Sequence, residues 1–202
     1  MDFCGRFIVF EGLDFTGKST QVRLLAARLR EAGYPVVTTR EPGGTPVGEE
    51  VRRVILSTKS VKLLPLSELL LFIAARAQLC AEVIEPALRQ NKVVISSRYR
   101  LSSVAYQGYG RGIDLELVRR LNEEATGGRC PDLTFLIDLP VSTALARKKG
   151  VGDRIEGEDS AFYRRVQDGY IQLARGDSSI HRIDGTLSRG EIAAQVRARL
   201  DL

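Results

Sequence analysis

Residue types that define several other classes of protein are scarce in this chain of 202 residues. Its three cysteines, Cys4, Cys80 and Cys130, are far apart and odd in number, which indicates reduced thiols and excludes a disulfide framework or cysteine metal spacing. The single histidine, His181, falls in a predicted strand, where we expect a structural role. No apolar run reaches bilayer-spanning length and the first residues lack a signal-peptide layout, so we expect a cytoplasmic protein with no membrane partner.

The remaining composition is that of an ordinary globular domain, with 44% hydrophobic and 27% charged residues. The formal net charge of +5 could indicate a nucleic-acid partner, but the lysines and arginines are scattered among acidic residues. A small phosphate-rich substrate accounts for the excess equally well, and we expect no nucleic-acid partner. The length fits one domain over residues 1–202, with at most a small lid.

A phosphate-binding motif lies near the start of the chain, where Gly12–Ser19 fit the pattern G-x-x-x-x-G-K-[ST]. An apolar run precedes it and a helical pattern follows, which is the context that this motif requires. Backbone N–H groups of such a loop form a concave anion site at a helix N-terminus. Lys18 is expected to reach the β- and γ-phosphates of a nucleoside triphosphate, and the Ser19 hydroxyl to ligate Mg²⁺. The predicted ATP-binding residues are Gly12, Leu13, Asp14, Phe15, Thr16, Gly17, Lys18, Ser19 and Thr20.

Short apolar runs alternate with helical patterns along the rest of the chain. The predicted strands are Arg6–Glu11, Tyr34–Thr39, Val93–Ser97, Leu133–Asp138 and Ser179–Ile183. One long apolar helix is predicted over about Leu66–Ile84. This alternation predicts an α/β fold, a three-layer P-loop NTPase with a five-stranded parallel sheet flanked by helices. A basic, glycine-containing stretch near residues 147–158 is predicted to be a short lid.

Other classes of phosphate-loop protein fit the sequence poorly. A GTP-binding switch would carry Asn-Lys-x-Asp after a late strand, but Asn91-Lys92 precedes its strand and is followed by Val93 and Val94. Motor and assembly ATPases would be longer. A compact chain with several arginine-bearing loops indicates a small-molecule kinase, which must hold two phosphorylated substrates.

Five further segments narrow the class: Glu11–Asp14, Thr39–Thr45, Leu71-Phe72 with Arg76, Arg98-Tyr99, and Ala105–Gly108. As a set they resemble the bacterial thymidylate kinases, and the resemblance spans essentially the whole chain, including Pro131–Leu133 and Asp153–Glu156. It implies phosphorylation of dTMP to dTDP by ATP with Mg²⁺, on the route to dTTP. It also implies a homodimer. The alternatives left open are a weakened or non-catalytic nucleotide-binding homologue and a kinase for another nucleoside monophosphate.

The resemblance also implies roles for individual residues. Phe72 is expected to stack on thymine and Arg76, one helical turn later, to hydrogen-bond a base carbonyl. Tyr106 is the expected barrier against a 2′-hydroxyl, and Arg52 and Arg98 match the clamp on the monophosphate. The full set of predicted dTMP-binding residues is Asp14, Glu41, Arg52, Phe72, Arg76, Arg98, Ser103, Tyr106 and Gln107.

The family supplies a cation to the transferring phosphoryl group either from the phosphate loop or from the lid. Phe15 occupies the loop position at which some members carry arginine, so the lid is expected to provide it here. The candidates are Arg147, Lys148, Lys149 and Arg154, with Arg154 favoured by its Asp-Arg-Ile-Glu context. The predicted catalytic residues are Lys18, Arg98, Lys149 and Arg154.

One departure from the family pattern concerns the metal. The family carries aspartate before Arg98, near Mg²⁺ and the acceptor phosphate, whereas this chain has Ser97. Ser19, water and the phosphates could hold Mg²⁺ without it, a nearby acid such as Glu41 or Glu11 could compensate, or turnover could be lost. Asp138, at the end of a later strand, is a less favoured substitute.

Overall fold

The computed structural model describes residues 2–58, 62–148, 150 and 152–202. Five strands form one parallel sheet: β1 (Phe7–Glu11), β2 (Val36–Arg40), β3 (Val93–Ser97), β4 (Leu133–Asp138) and β5 (Ile180–Asp184). Their order is β2-β3-β1-β4-β5, and every neighbouring pair is parallel. The predicted fold class is confirmed.

Helices connect the strands. They are α1 (Lys18–Glu31), α2 (Pro46–Leu56), α3 (Pro65–Leu79), α4 (Glu85–Arg89), α5 (Arg100–Ser103), α6 (Leu115–Thr126), α7 (Val141–Ala146), α8 (Ser160–Arg175) and α9 (Arg189–Arg199). Asp114 caps the N-terminus of α6, because its side chain accepts a hydrogen bond from the N–H of Leu117 at 2.8 Å. No helix in the described ranges is long and apolar enough to cross a membrane.

The sheet is covered on both faces, which explains why its central strands are mostly apolar. Ile8 and Phe10 of β1 pack into a cluster with α1 and α9, whereas Phe7 and Val9 pack on the opposite face against Leu79 and the helical residues after it. Edge strand β2 is only partly buried. This arrangement places β1 between β3 and β4, so the carboxyl ends of all three strands meet at one edge.

Two π-helical segments alter the predicted helix pattern. The long helix expected over Leu66–Ile84 is α3 followed by a π-helical turn at Cys80–Ile84, and α4 continues from it. A second π-helical segment, Val104–Gly110, follows α5 directly. Glycine permits close packing there, since a Cβ on Gly110 would lie 2.7 Å from the Phe162 ring. The segment delivers several predicted substrate residues to the carboxyl edge of the sheet.

Candidate active site

A cleft of about 410 Å³ opens at the carboxyl edge of the sheet. Its walls come from the phosphate loop, the loop after β2, helices α2 and α3, the segment after β3, and the lid. The predicted site residues that line it are Asp14, Phe15, Gly17, Lys18, Ser19, Thr20, Glu41, Arg52, Phe72, Arg98, Ser103, Tyr106 and Gln107. Residues predicted from distant parts of the sequence therefore meet in one cleft.

The phosphate loop is shaped by two glycines with positive φ angles. Gly12 has φ 136°, and a Cβ there would lie 2.5 Å from the Ile137 carbonyl oxygen. Gly17, at φ 93°, precedes the first residue of α1 and directs the loop into the helix N-terminus. Phe15 also adopts a positive φ of 64°. This geometry provides the concave backbone turn at a helix N-terminus that phosphate binding needs.

Lys18 is buried in this loop, and its Nζ donates to the Leu13 carbonyl oxygen at 2.5 Å. Burial, together with the nearby Arg98 guanidinium, lowers the pKa of Lys18 from 10.5 to about 7, against the opposing influence of Asp14 and Glu11. The hydrogen-bond partner of this ammonium group is a neutral carbonyl oxygen, whereas bound phosphate would offer it anionic oxygens.

Arg98 connects the phosphate loop to the segment after β3. Its Nη1 donates to the Gly12 carbonyl oxygen and to Ser102 Oγ, both at 3.1 Å, while its Nη2 contacts Asp14 Oδ1 at 2.5 Å and the Tyr106 hydroxyl at 3.1 Å. The Tyr106 hydroxyl donates to Asp14 Oδ2 at 2.8 Å. Burial opposes ionisation of Asp14, but Arg98 and Lys18 hold its pKa below the usual value. A negatively charged group of a bound substrate could pair here with a guanidinium that these hydrogen bonds hold in place.

A second buried network surrounds Arg76 on α3. Its guanidinium pairs with Glu41 through Nε and Nη2, donates from Nη1 to Ser103 Oγ at 2.8 Å and Asn122 Oδ1 at 2.5 Å, and donates from Nη2 to the Tyr99 carbonyl oxygen at 3.1 Å. These contacts engage all its N–H groups. Arg76 is not among the residues that line the cleft. To donate to a nucleobase, as predicted, it would have to give up one of these partners.

The lid candidates lie in different places. Arg154 does not line the cleft: its Nε donates to the Ile55 carbonyl oxygen at 2.8 Å and its Nη2 lies 2.7 Å from Glu68 Oε2. Lys148 donates from Nζ to the Glu156 carbonyl oxygen at 2.7 Å. Arg147 lines the cleft, while Lys149 lies outside the described residues. Of the lid cations in the described part of the chain, Arg147 is the one that lines the cleft, which is the position that was expected for Arg154.

Acidic groups near the phosphate loop are already engaged. Glu11 is fully buried and accepts hydrogen bonds from the backbone and hydroxyl of Ser102, from the Tyr99 N–H and from the Tyr170 hydroxyl. Asp138 pairs with Arg182 and accepts from Gln167. Asp138 is not among the residues that line the cleft, although its strand β4 borders β1.

Ser97 lines the cleft at the end of β3, and its register partner is Phe10. Among the described residues, no group of three or more acidic, histidine or cysteine side chains could hold a metal ion. The Ser19 hydroxyl lines the cleft at the phosphate loop and is an oxygen that could ligate a cation. Such a site suits a hard cation that arrives with phosphate ligands and keeps several waters.

Four functional candidates were missed by sequence reasoning: Glu68, Ser102, Arg111 and Tyr170. Ser102 and Tyr170 contact Arg98, Glu68 contacts Gln107, and Arg111 contacts Glu68, but none of the four belongs to a motif that the sequence analysis used. Tyr170 lies on α8 in a cluster with Phe162 and Val166, and its hydroxyl donates to Glu11. The position of a hydroxyl within a packed face emerges only from the tertiary structure.

Comparisons with known proteins show which sequences and structures this chain resembles. A family model described as Thymidylate kinase matches residues 10–196. Curated proteins named Thymidylate kinase include one from Pelotomaculum thermopropionicum, 50% identical over 84% of this chain and 80% of that protein. Another, from Kosmotoga olearia, is 49% identical over 94% of this chain and 92% of that protein. The crystal structure of thymidylate kinase from Ehrlichia chaffeensis matches with a TM-score of 0.80 and 39% identity, over 96% of this chain and 98% of that one.

These matches confirm the resemblance carried by the sequence motifs. The family model covers most of the chain, and the relatives align over most of their own length. The chain belongs to the thymidylate kinase family.

Proposed function

We propose that the protein transfers the γ-phosphoryl group of ATP to dTMP, giving dTDP and ADP. The observation that carries this function is the single cleft that joins a phosphate loop to an aromatic and arginine-lined acceptor wall. Family membership supports the same reaction. Phosphoryl transfer depends mainly on positioning and on stabilising negative charge, and the cleft offers groups for both.

The acceptor binds against the wall formed by α2, α3 and the π-helical segment. Phe72 offers an aromatic face for the base, and Gln107 lies in the same wall. Tyr106 is held by Asp14 and Arg98, and it stays the expected barrier against a 2′-hydroxyl. Arg52, whose Nη1 donates to the Pro42 carbonyl oxygen at 2.9 Å, and Arg98 bind the monophosphate.

The Glu41–Arg76–Ser103 network has a supporting role in this proposal. It fixes the loop after β2 and the start of the π-helical segment against α3, and so shapes the base pocket from behind. A direct contact between Arg76 and the base remains the prediction from the family. It requires one of the present hydrogen bonds of Arg76 to be exchanged for the base carbonyl.

The donor occupies the phosphate loop and the groove that continues from it. That groove has a volume of about 480 Å³ and lies between Thr20, Arg147, Leu187 and Ser188. Arg147 lines both the groove and the acceptor cleft, and its Nη2 donates to the Gly185 carbonyl oxygen at 3.3 Å. A planar guanidinium at this position can stack on a purine or approach the phosphates.

Mg²⁺ fits the residues present, because the Ser19 hydroxyl lies in the phosphate loop and Mg²⁺ commonly takes most of its ligands from phosphates and water. When bound, it would neutralise charge on the donor phosphates. Lys18 and Arg98 stabilise the charge that develops on the transferring group. Lys149 and Arg154 stay predicted lid cations, and closure of lid residues 147–158 would exclude water.

The cellular setting is part of the same proposal. We expect a cytoplasmic protein that acts on small substrates and forms a homodimer. Helix α3 exposes Leu66 and Leu70, at 49% and 47%, on a surface suited to pairing with a second copy. Sedimentation velocity would test the dimer directly, with Leu70→Glu expected to shift the protein towards monomer.

Product analysis with a panel of acceptors tests the function. The protein would be incubated with ATP, Mg²⁺ and one of dTMP, dUMP, dCMP or dGMP, and the diphosphate formed would be separated and quantified. We expect dTDP as the main product, with Lys18→Ala abolishing turnover. Preferential phosphorylation of another monophosphate would contradict the assignment of dTMP.

A further inference from the structure

A buried carboxylate outside the proposed catalytic set links the acceptor wall to the lid. Glu68, in the first turn of α3, is 1% exposed. Its Oε1 accepts from Gln107 Nε2 at 2.8 Å, and its Oε2 lies 2.7 Å from Arg154 Nη2. One side chain therefore contacts both a residue of the acceptor wall and the lid arginine.

Arg111 completes the cluster. It donates to both oxygens of Glu68, from Nε at 3.2 Å and from Nη2 at 3.0 Å, and its Nη2 also pairs with Glu158 Oε1 at 2.7 Å. Its guanidinium lies 4.6 Å from the centre of the Phe162 ring, where a cation is attracted to the aromatic face. Two arginines and an amide thus satisfy a carboxylate that would be costly to bury alone.

The lid end of the cluster is anchored at further points. The Arg154 N–H donates to the Leu56 carbonyl oxygen at 3.3 Å and its Nε donates to the Ile55 carbonyl oxygen, at the end of α2. The next residue, Ile155, lines the cleft. Release of Arg154 from Glu68 would therefore remove a fixed point directly beside the cleft wall.

We propose that Glu68 is a positioning residue that couples the acceptor wall to the lid. It orients the Gln107 amide with one oxygen and holds Arg154 at the base of the lid with the other. Displacement of Gln107 by a bound acceptor is then transmitted to Arg154 through one rigid carboxylate. The proposal rests on the kinase function above, because it assigns Glu68 a part in that reaction without contact to substrate.

The coupling test compares Glu68→Gln with Glu85→Gln. Glutamine keeps the shape of the Glu68 side chain but cannot balance the charges of two guanidinium groups. Glu85 is the control site because it pairs with the exposed Arg129 away from the cleft. For Glu68→Gln we expect KM for dTMP to rise about fivefold and kcat to fall about tenfold, because the loss of one charged hydrogen bond changes a rate or equilibrium constant by about tenfold. KM for ATP should stay within about twofold of the parent value. Glu85→Gln should retain the parent constants. Equal changes in both variants, or none in either, would overturn the proposal.

Hydrogen exchange supplies a readout that does not depend on turnover. In Glu68→Gln, amides of residues 104–112 and 152–158 should both exchange at least about threefold faster, while amides of β1 and β3 retain their protection. A uniform rise across the chain would mean general destabilisation and would overturn the positioning role. If the parent protein lacks kinase activity but Glu68→Gln still speeds exchange in both segments, the coupling through Glu68 stands and the proposed function fails.

Discussion

Binding of ATP above neutral pH should make the protein take up a proton, because the pKa of Lys18 in the phosphate loop is lowered to about 7. Burial is the main reason for its pKa of about 7, compared with 10.5 for a free lysine. Phosphate oxygens would replace the Leu13 carbonyl oxygen as its partner and restore the charged form. Binding and proton uptake are therefore linked.

The magnitude follows from the position of this pKa. With a pKa of about 7, Lys18 is about nine-tenths deprotonated at pH 8 and about one-tenth at pH 6. If bound phosphate returns the pKa above 10, uptake should approach about 0.9 proton per site at pH 8 and about 0.1 at pH 6.

Isothermal titration calorimetry measures this uptake directly. ATP with Mg²⁺ and no dTMP is titrated into the protein in buffers of different ionisation enthalpy, and the slope of the observed enthalpy gives the number of protons. Lys18→Arg is the matched control, because a guanidinium stays protonated throughout. The reasoning is refuted if uptake at pH 8 is negligible in the parent protein, or if Lys18→Arg shows the same uptake.

The same shift makes stability depend on pH. Between pH 7 and 10.5 the unfolded chain keeps a proton on Lys18 that the folded chain has released, so stability from this group rises with pH in that window. Below pH 7 Lys18 is protonated in both the folded and the unfolded chain, so the full cost of burying its charge lowers the free energy of unfolding. The shift corresponds to at most about 5 kcal/mol. Urea unfolding should show the parent gaining stability over Lys18→Met between pH 7 and 9.

Two further substitutions test the buried networks. Arg76→Met leaves Glu41 buried without its cation and should lower the free energy of unfolding by about 3–5 kcal/mol. In urea unfolding the exposed-pair control Arg129→Met should cost under about 1 kcal/mol, and equal costs would contradict the account. Tyr106→Phe removes the hydrogen bond to Asp14, so in steady-state assays KM for dTMP should rise about tenfold while KM for ATP stays unchanged. An unchanged KM for dTMP would show that the Tyr106 hydroxyl does not shape the acceptor wall.

The sheet could be predicted almost completely because parallel strands leave a strong local signal. The predicted bounds of Val93–Ser97 and Leu133–Asp138 match β3 and β4, since both strands are apolar runs buried on both faces. Edge strand β2 begins two residues after the predicted Tyr34, at Val36, where the half-exposed pattern is less distinct. The π-helical segments gave no periodic signal because their hydrogen bonds depart from the 3.6-residue repeat.

The sequence predicted which residues form the site better than it predicted how their side chains are oriented. Motif residues such as Asp14, Phe72 and Tyr106 were placed in one cleft by sequence, and the structure brings them together. The orientation of arginines could not be predicted, because it depends on which buried acid each one neutralises. Arg76 pairs with Glu41 and Arg154 with Glu68, and neither arginine lines the cleft.

The measurement that tests the account most directly is ADP release with ATP, Mg²⁺ and dTMP, for this chain and for Ser97→Asp in parallel. The site as described predicts robust turnover by the unmodified chain, because Ser19, the phosphates and water suffice for Mg²⁺. Absence of turnover, with dTMP binding intact and activity restored by Ser97→Asp, would contradict it. That outcome would show a preserved substrate site that lacks the carboxylate its chemistry requires.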